Sequence, residues 1–164
     1  MVFEGLRKAV GSYLLKNEVA LLKRSKTAFN MAEAKSFVIL FEASKLEDVE
    51  LVKKYVVYLK EMKKKVRVIG YFNTPFPPDF TYSKLEYEFF SIKELNWYFK
   101  PSGSFLSSFL KEEFDVLIDL DFENHFPLRF LSALSHARFK VGKFSNENEA
   151  IHDLLIDIDA KKNF

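Results

Sequence analysis

Short apolar runs alternate with longer segments of helical periodicity along most of the chain. Short runs rich in Val, Ile and Phe are typical of buried strands, whereas apolar side chains spaced three and four apart indicate amphipathic helices. These patterns predict strands at 36–42, 66–72, 87–90, 115–121, 139–142 and 153–158. They predict helices at 3–25, 45–63, 104–113 and 127–137. Alternation of strands and helices is typical of an α/β domain.

The order of these elements predicts the topology of the sheet. A helix joins strand 36–42 to strand 66–72, and such a crossover makes neighbouring strands parallel and the connection right-handed. The sequence therefore predicts an α/β fold with a single doubly wound, mainly parallel sheet of the flavodoxin or Rossmann type. We assign this α/β domain to residues 31–164 and an extra N-terminal basic amphipathic helix to residues 1–30.

The N-terminal helix precedes the first strand, so the strand and helix alternation does not give its place in the fold. Basic residues lie between its apolar positions, which follow one another mostly at helical spacing: Phe3, Leu6, Val10, Tyr13, Leu14 and Leu21. Such a helix packs on its own sheet, pairs with another chain, or lies on an external surface. The sequence leaves these three alternatives open.

The turn after the first strand argues against a phosphate-binding loop. The apolar run 37–41 leads into Ser44 and Glu47, whose spacing predicts a capping box on the following helix. These two side chains would then bond the first backbone amides of that helix. The 5 glycines of the chain form neither a GxGxxG nor a GxxxxGK[ST] pattern. We therefore expect neither a dinucleotide site nor a P-loop, and we assign no cofactor.

The amino-acid composition excludes several further kinds of functional site. The chain of 164 residues, 48% of them hydrophobic, is long enough for one domain with a sizeable core. It has no cysteine, which excludes disulfides, thiolate metal sites and thiol catalysis. No apolar run approaches the roughly 18 residues of a membrane-spanning helix. We therefore expect no transmembrane segment and a cytoplasmic location.

Charge is unevenly distributed along the chain, although the net charge is only +2. Residues 1–65 contain 14 basic and 8 acidic side chains, a net charge of +6, and residues 66–164 contain 11 and 15, a net charge of −4. A basic first part suits a partner that carries phosphate, anionic lipid or acidic side chains. The candidate partner-binding residues are Arg7, Lys8, Lys16, Lys23, Arg24, Lys26, Lys63 and Lys64.

This charge pattern favours a non-catalytic α/β binding module that docks on a larger ribonucleoprotein or protein assembly through its basic N-terminal helix. RNA is a candidate partner, and a homodimer with the first helix as its seam is an alternative. A non-enzymatic role is favoured over an enzymatic one because the chain has no GxSxG, HxH or HExxH motif. We assign no catalytic residue.

Acidic side chains follow two of the predicted strands. Asp119 and Asp121 end strand 115–121, and Asp157 and Asp159 stand at the end of the last strand. If these strands were neighbours, four carboxylates could converge on a magnesium ion. The alternative is that strand ends emerge into water and carry solvated side chains. We assign no metal site on this pattern.

The three consecutive aromatic residues Trp97, Tyr98 and Phe99 cannot all be buried on one face of a helix or strand. At least one of them is therefore expected to be exposed or to cover a neighbouring loop. Core packing is the favoured role for the cluster. Its alternative, given the flanking Lys93 and Lys100, is a platform that stacks bases or a sugar ring.

Several segments resemble the N-terminal lobe of heptosyltransferase-type GT-B glycosyltransferases over residues 36–142. The resemblance is carried by apolar segments at 37–40, 114–120, 130–134 and 137–142. In that family a Gly-Asp pair at the start of the first helix carries the acceptor-side catalytic base, and the matching place here reads Glu47-Asp48. The chain also resembles an uncharacterised family of small α/β proteins with a basic N-terminal helix.

The glycosyltransferase resemblance implies a degenerate lobe that binds a nucleotide or sugar ligand at the carboxyl ends of the strands. The matching crevice residues are Asp48, Asp119 and Asp121. Members of that family bind their sugar nucleotide in a second lobe of similar size, which this chain does not contain. The resemblance therefore implies ligand binding rather than a complete transferase, unless a partner chain supplies the second lobe.

Overall fold

The computed structural model describes residues 2–80 and 87–158. The helices are α1 (Val2–Leu21), α2 (Leu46–Glu61), α3 (Ser104–Lys111) and α4 (Phe126–Leu134), and a short 3₁₀ turn spans Ile92–Glu94. The strands are β1 (Ser36–Glu42), β2 (Lys65–Phe72), β3 (Tyr87–Ser91), β4 (Val116–Asp119), β5 (Phe139–Lys143) and β6 (Leu154–Ile156). All six predicted strands are present, and β4 and β6 are shorter than predicted.

The six strands form one parallel sheet in the order β3-β2-β1-β4-β5-β6. β1 lies at the centre, where Ile39 stands opposite Val68 of β2 and Ile118 of β4. The chain winds outward from β1 to β3 and then returns to the other side of β1. The predicted α/β fold with a parallel sheet is confirmed, and the strand order reverses between β1 and β4. Such a reversal leaves a crevice at the carboxyl edge of the sheet.

Helices cover both faces of the sheet. On one face α2 buries the apolar stripe that its sequence predicts, Val49, Val52, Val56 and Leu59. On the other face, Phe109 of α3 and Leu128 and Leu131 of α4 share a core cluster with the inward side chains of β1, β2 and β4. Because the strands at the centre are covered on both sides, β1 is a continuous run of buried residues from 37 to 41.

The N-terminal helix α1 packs against its own domain and ends at Leu21 rather than at residue 25. Leu15 is buried in a cluster with Phe126 of α4. Gly11 permits this close contact, because a Cβ there would lie 2.5 Å from the carbonyl oxygen of Tyr98 and 2.7 Å from the Phe126 ring. One face of α1 is therefore part of the fold. Among the described residues, no helix combines the length and the apolar character needed to cross a membrane.

The capping box predicted at the start of α2 is wrong. The helix begins at Leu46 with Lys45 as its N-cap, and no side chain bonds its first amides. Ser44 lies one residue before the cap, and both its hydroxyl and its backbone amide donate to the carboxylate of Glu42. The charged carboxylate of Glu42, two residues away, accepts the hydrogen bonds of Ser44, so this serine does not cap the helix. A capping box occurs instead on the 3₁₀ turn, formed by Ser91 and Glu94.

Candidate functional site

A cleft of about 920 Å³ opens at the carboxyl edge of the sheet, lined by residues that follow β2, β3 and β4 and by α1. Its floor contains Tyr71 and Asn73 from the end of β2, and His125 from the turn after β4. Arg129 of α4 lines one side, and Arg7 lines another from α1. Five side chains from four parts of the chain therefore converge on one space. This is the position at which ligands bind in open parallel sheets.

Tyr71 gives the floor of the cleft a hydrogen-bond donor. Its hydroxyl donates to Oδ1 of Asn73 at 3.1 Å. Burial raises the pKa of Tyr71 to about 12, and the negative charges of Glu42 and Asp121 add to the effect. The phenol therefore stays protonated at physiological pH. Its ring meets that of His125 edge-on, with 5.8 Å between ring centres.

His125 is held in place by Asp121. The Nδ1 atom of His125 lies 2.7 Å from Oδ1 of Asp121, and the backbone amides of His125 and Glu123 donate to the same carboxylate. The turn also contains Asn124 with φ at +58°, a left-handed conformation that asparagine tolerates better than most residues. The hydrogen bond to Asp121 raises the pKa of His125 against the opposing effect of burial. The imidazole is thus a fixed donor that retains its proton to a higher pH than a free histidine.

Cationic side chains surround the cleft, each anchored by a neighbour. Arg129 is paired with Glu147, and Lys8 lies 2.9 Å from Glu4 in an exposed pair. The Nε of Arg7 donates to the carbonyl of Trp97 at 2.6 Å, and its guanidinium lies over the ring of Phe99 at 4.1 Å from the centroid. The lining therefore contains three permanent cations, Arg7, Lys8 and Arg129, together with three carboxylates, Glu4, Glu123 and Glu147.

Asp119, one of the predicted crevice residues, does not line the cleft. Its Oδ2 accepts a hydrogen bond from Ser132 at 2.7 Å and lies 3.0 Å from Nε2 of His152. The side chain of His152 is fully buried, and that of Asp119 is 8% exposed. Because its Oδ1 also accepts the amide of Asp121, Asp119 joins β4, α4 and the segment before β6. Its contacts are those of a structural residue.

Asp48 and Asp121, the other two predicted crevice residues, line a second and smaller groove of about 250 Å³. This groove lies between the start of α2 and the chain after β4, and Lys45 contributes to it. The fold therefore brings Asp48 to the carboxyl edge, at the place that the glycosyltransferase resemblance implies. Asp121 lines this groove while its carboxylate holds His125, so the turn 121–125 separates the two spaces.

The carboxylates at the ends of β4 and the last strand do not converge. β5 lies between β4 and β6, and Asp159 is outside the described residues. Within residues 2–80 and 87–158, no group of three or more His, Asp or Glu side chains is arranged to hold a metal ion. The condition for the magnesium site considered from the sequence, neighbouring strands, is not met.

Five of the eight candidate basic residues make side-chain contacts within the fold. Besides Arg7, and Lys8 in its pair with Glu4, the guanidinium of Arg24 bonds the carboxylate of Asp153 at 2.6 and 2.9 Å, and the Nζ of Lys64 donates to the carbonyl of Ala34 at 2.6 Å. Lys26 is exposed and lies 3.8 Å from the same Asp153. The remaining three are exposed, Lys16, Lys23 and Lys63. Docking on RNA or a protein assembly through the basic surface therefore stays a prediction with fewer free cations than the sequence suggested.

Four residues of the cleft were not predicted from the sequence: Tyr71, Asn73, His125 and Arg129. A signal was available for His125, which follows Asp121 by four residues in a turn between a strand and a helix. Tyr71 and Asn73 also sit where β2 ends, at the edge where ligands bind. Arg129 carries no such signal, because only the orientation of α4 places it on the cleft.

A family model matches residues 7–164 of this chain, and it describes a family of unknown function, DUF6913. The chain belongs to this family. No curated protein and no solved structure matches the chain. The resemblance to heptosyltransferase-type lobes stays a prediction, and any function must be argued from the site itself.

Proposed function

We propose that this DUF6913 protein binds a small anionic, hydroxyl-bearing molecule, of the class of nucleotides and sugar phosphates, in the cleft at the carboxyl edge of its sheet. The observation that carries the proposal is the convergence of Tyr71, His125 and Arg129 on one cleft at the carboxyl ends of the parallel strands. A volume of about 920 Å³ is within the range of cofactor and ligand sites.

The charges of the cleft support an anionic ligand. Arg129 and Lys8 both line the cleft, and their partners Glu147 and Glu4 are exposed carboxylates. The Lys8–Glu4 pair is exposed on both sides and contributes little to stability, so a phosphate or carboxylate can replace Glu4 at small cost. The side chain of Arg129 is only 18% exposed, and a ligand would have to displace Glu147 from it. His125 adds a third donor on the floor, and its raised pKa favours the protonated form when an anion approaches.

The neutral groups of the cleft suit the rest of such a molecule. Asn73 offers both a donor and an acceptor, and Glu123 an acceptor, for sugar hydroxyls. Phe99 and Phe126 line the same space, and aromatic faces pack against sugar rings and bases. Since the chain has no glycine-rich turn, side chains rather than backbone amides would hold the anionic group. Binding should therefore weaken steeply with salt.

The experiment is a thermal-shift screen of the full chain with nucleotides, sugar nucleotides, sugar phosphates and the matching uncharged sugars. A ligand at about 100 times its dissociation constant should stabilise the protein by roughly 2.7 kcal/mol. The uncharged sugars should have no effect. Arg129→Gln should weaken binding of the anionic ligand about tenfold or more, because a charged hydrogen bond is lost.

Arg138→Gln is the matched control, because Arg138 pairs with Glu113 at 3.9 Å on a different part of the surface. It should leave ligand affinity unchanged. If no compound in the screen shifts the unfolding temperature, or if both arginine variants weaken binding equally, the cleft is not the ligand site and the proposal is wrong.

A further inference from the structure

The N-terminal helix has a second apolar face that the fold does not cover. Phe3, Leu6, Tyr13 and Leu21 are 69%, 54%, 66% and 82% exposed. With the half-buried Val10, these residues recur at spacings of three, four, three and eight, which places them on one side of α1. Gly11 and Leu15 mark the buried side. We call the exposed set the outer stripe.

Charge is distributed unequally around α1. Its two acidic residues are both paired, Glu4 with Lys8 at 2.9 Å and Glu18 with Lys100 at 2.8 Å. Helical geometry places Glu4 about 140° and Glu18 about 100° from the middle of the outer stripe, and Lys16 about 100° from it on the other flank. Lys16 and Lys23, which follows just after the end of the helix, are both exposed. The outer stripe is therefore flanked by one exposed lysine and by one glutamate whose charge is paired.

An exposed tryptophan lies in the segment that contacts α1. Trp97 is 55% exposed, and its backbone carbonyl accepts the bond from Arg7, which is one turn from Phe3 and from Val10. Tryptophan and tyrosine favour the boundary between lipid and water, where an apolar ring and a polar edge are both satisfied. The outer stripe carries Tyr13, and the segment bonded to Arg7 carries Trp97.

We propose that the outer stripe of α1 docks on the surface of an anionic lipid bilayer, with the helix lying in the plane of the interface. A stripe of exposed Phe, Leu and Tyr beside the exposed Lys16 and Lys23, on a helix whose two acidic residues are both paired, resembles the pattern of interfacial helices. The lysines are attracted to anionic headgroups while the apolar side chains enter the boundary region.

Other occupants fit this face less well. RNA presents phosphates to the lysines, but a duplex or single strand leaves the aliphatic Leu6 and Leu21 without an apolar partner. A second copy of the chain would cover the stripe but would bring Lys16 and Lys23 of two helices towards one another, and like charges repel. A bilayer accommodates both the stripe and the charges. This docking does not depend on a ligand in the cleft.

The test uses vesicle flotation with the full chain. Vesicles of phosphatidylglycerol and phosphatidylcholine should carry the protein, and vesicles of phosphatidylcholine alone should carry it much more weakly. Since the chain has a single tryptophan, its emission should shift to shorter wavelength on the anionic vesicles and become less accessible to acrylamide. High salt should release the protein.

Two double variants, each of which introduces two glutamates at exposed positions, test which surface binds the vesicles. Leu6→Glu with Tyr13→Glu should reduce partition onto anionic vesicles by about tenfold or more, since two apolar anchors become anionic. Leu51→Glu with Val57→Glu places the same charges on exposed positions of α2, 62% and 55% exposed, and should bind nearly as the wild type. Circular dichroism and the unfolding temperature establish that both variants are folded.

Three results would overturn the proposal. The folded wild type could fail to bind anionic vesicles at low salt. The two double variants could lose binding equally, which would indicate charge alone. Light scattering could find a mass of twice 19.2 kDa that the Leu6→Glu, Tyr13→Glu variant halves, with no vesicle binding, which would assign the outer stripe to a second copy.

Discussion

Two Asp–His pairs stand near the end of β4, and they differ in what surrounds them. His152 and Asp119 lie 3.0 Å apart with side chains 0% and 8% exposed. His125 and Asp121 lie 2.7 Å apart, with side chains 14% and 4% exposed, and the histidine borders the cleft. The same two residue types thus make one contact inside the fold and one at its surface. Because only His125 borders the cleft, only the His125–Asp121 pair can contact a ligand there.

The difference arises from the element that brings each histidine. His125 comes from the same turn as Asp121, four residues along the chain. His152 comes from the segment before β6, 33 residues from Asp119, and lies against β5 where Gly142 leaves room. A Cβ at Gly142 would lie 2.6 Å from the His152 ring. The long-range pair therefore depends on tight packing, whereas the short-range pair depends on one turn.

The largest expected effect is the difference between the two pairs in how much each contributes to the free energy of unfolding. His152→Ala removes a fully buried ring and leaves Asp119 without one of its partners, so we expect the free energy of unfolding to fall by about 3 kcal/mol or more. His125→Ala leaves Asp121 beside solvent, and we expect a loss of about 1 kcal/mol. Urea denaturation of both variants measures the difference. Equal losses would show that the two environments are energetically alike.

A smaller effect comes from Lys140, a third ionisable group that is buried beside the long-range pair. Its Nζ donates to the carbonyl of Ala133, the residue after Ser132, at 3.1 Å. Burial lowers the pKa of Lys140 to about 7, and the nearby charge of Arg24 adds to the effect. The unfolded chain therefore binds more protons than the folded one between about pH 7 and the unfolded pKa near 10.4. Stability must rise with pH across this window.

Lys140→Met tests this expectation, because it keeps most of the side-chain volume and removes the charge. At about pH 6 we expect the variant to be more stable than the wild type by about 2–3 kcal/mol, since burial of the ammonium is avoided. The advantage should shrink steadily as the pH approaches about 10. Thermal and urea unfolding across this range measure it, and a difference that does not change with pH would contradict the lowered pKa.

The smallest effect concerns the pH dependence of the pair at the cleft. The pKa of His125 is raised in the folded protein above its ordinary value of 6.5. Its extra stabilisation is therefore fully present below the unfolded pKa and is lost as the pH rises through the folded pKa. His125→Gln should cost up to about 1 kcal/mol more at about pH 5.5 than at pH 9. A cost that is the same at both pH values, or larger at pH 9, would contradict this assignment.

The fold could be predicted from the sequence because buried strands and buried helix faces give a periodic pattern of apolar residues. The run 37–41 and the stripe from Val49 to Leu59 are buried as predicted, and β1 and β2 are parallel as predicted from the helix that joins them. The aromatic cluster was also interpreted correctly, since Trp97 is exposed while Tyr98 and Phe99 are partly buried. The expectation that failed, the capping box at Ser44, relied on a local rule that the carboxylate of Glu42 overrides.

The site was harder to predict because its residues become neighbours only in the folded chain. Asp121 was identified from its place at a strand end, but its role in holding His125 depends on the turn around Asn124. Asp119 had the same sequence signal as Asp121, and both side chains are buried. They differ in their partners, because Asp119 bonds Ser132 and the buried His152, whereas Asp121 holds His125 at the cleft. The packing of α4 and the segment before β6 supplies the partners of Asp119, and no sequence signal at the strand end shows this.

The long-range contacts of α1 and of the segment after it can form only after their partners have been synthesised. Arg24 bonds Asp153 across 129 positions, and Lys100 bonds Glu18 across 82. Contacts of such separation form slowly because a long loop must close first. On the ribosome, synthesis at about 5–20 residues per second separates α1 from the last of these partners by several seconds. Until α4 and these partners have been made, the face of α1 that carries Leu15 has no surface to pack on, so this helix is among the last elements to be placed.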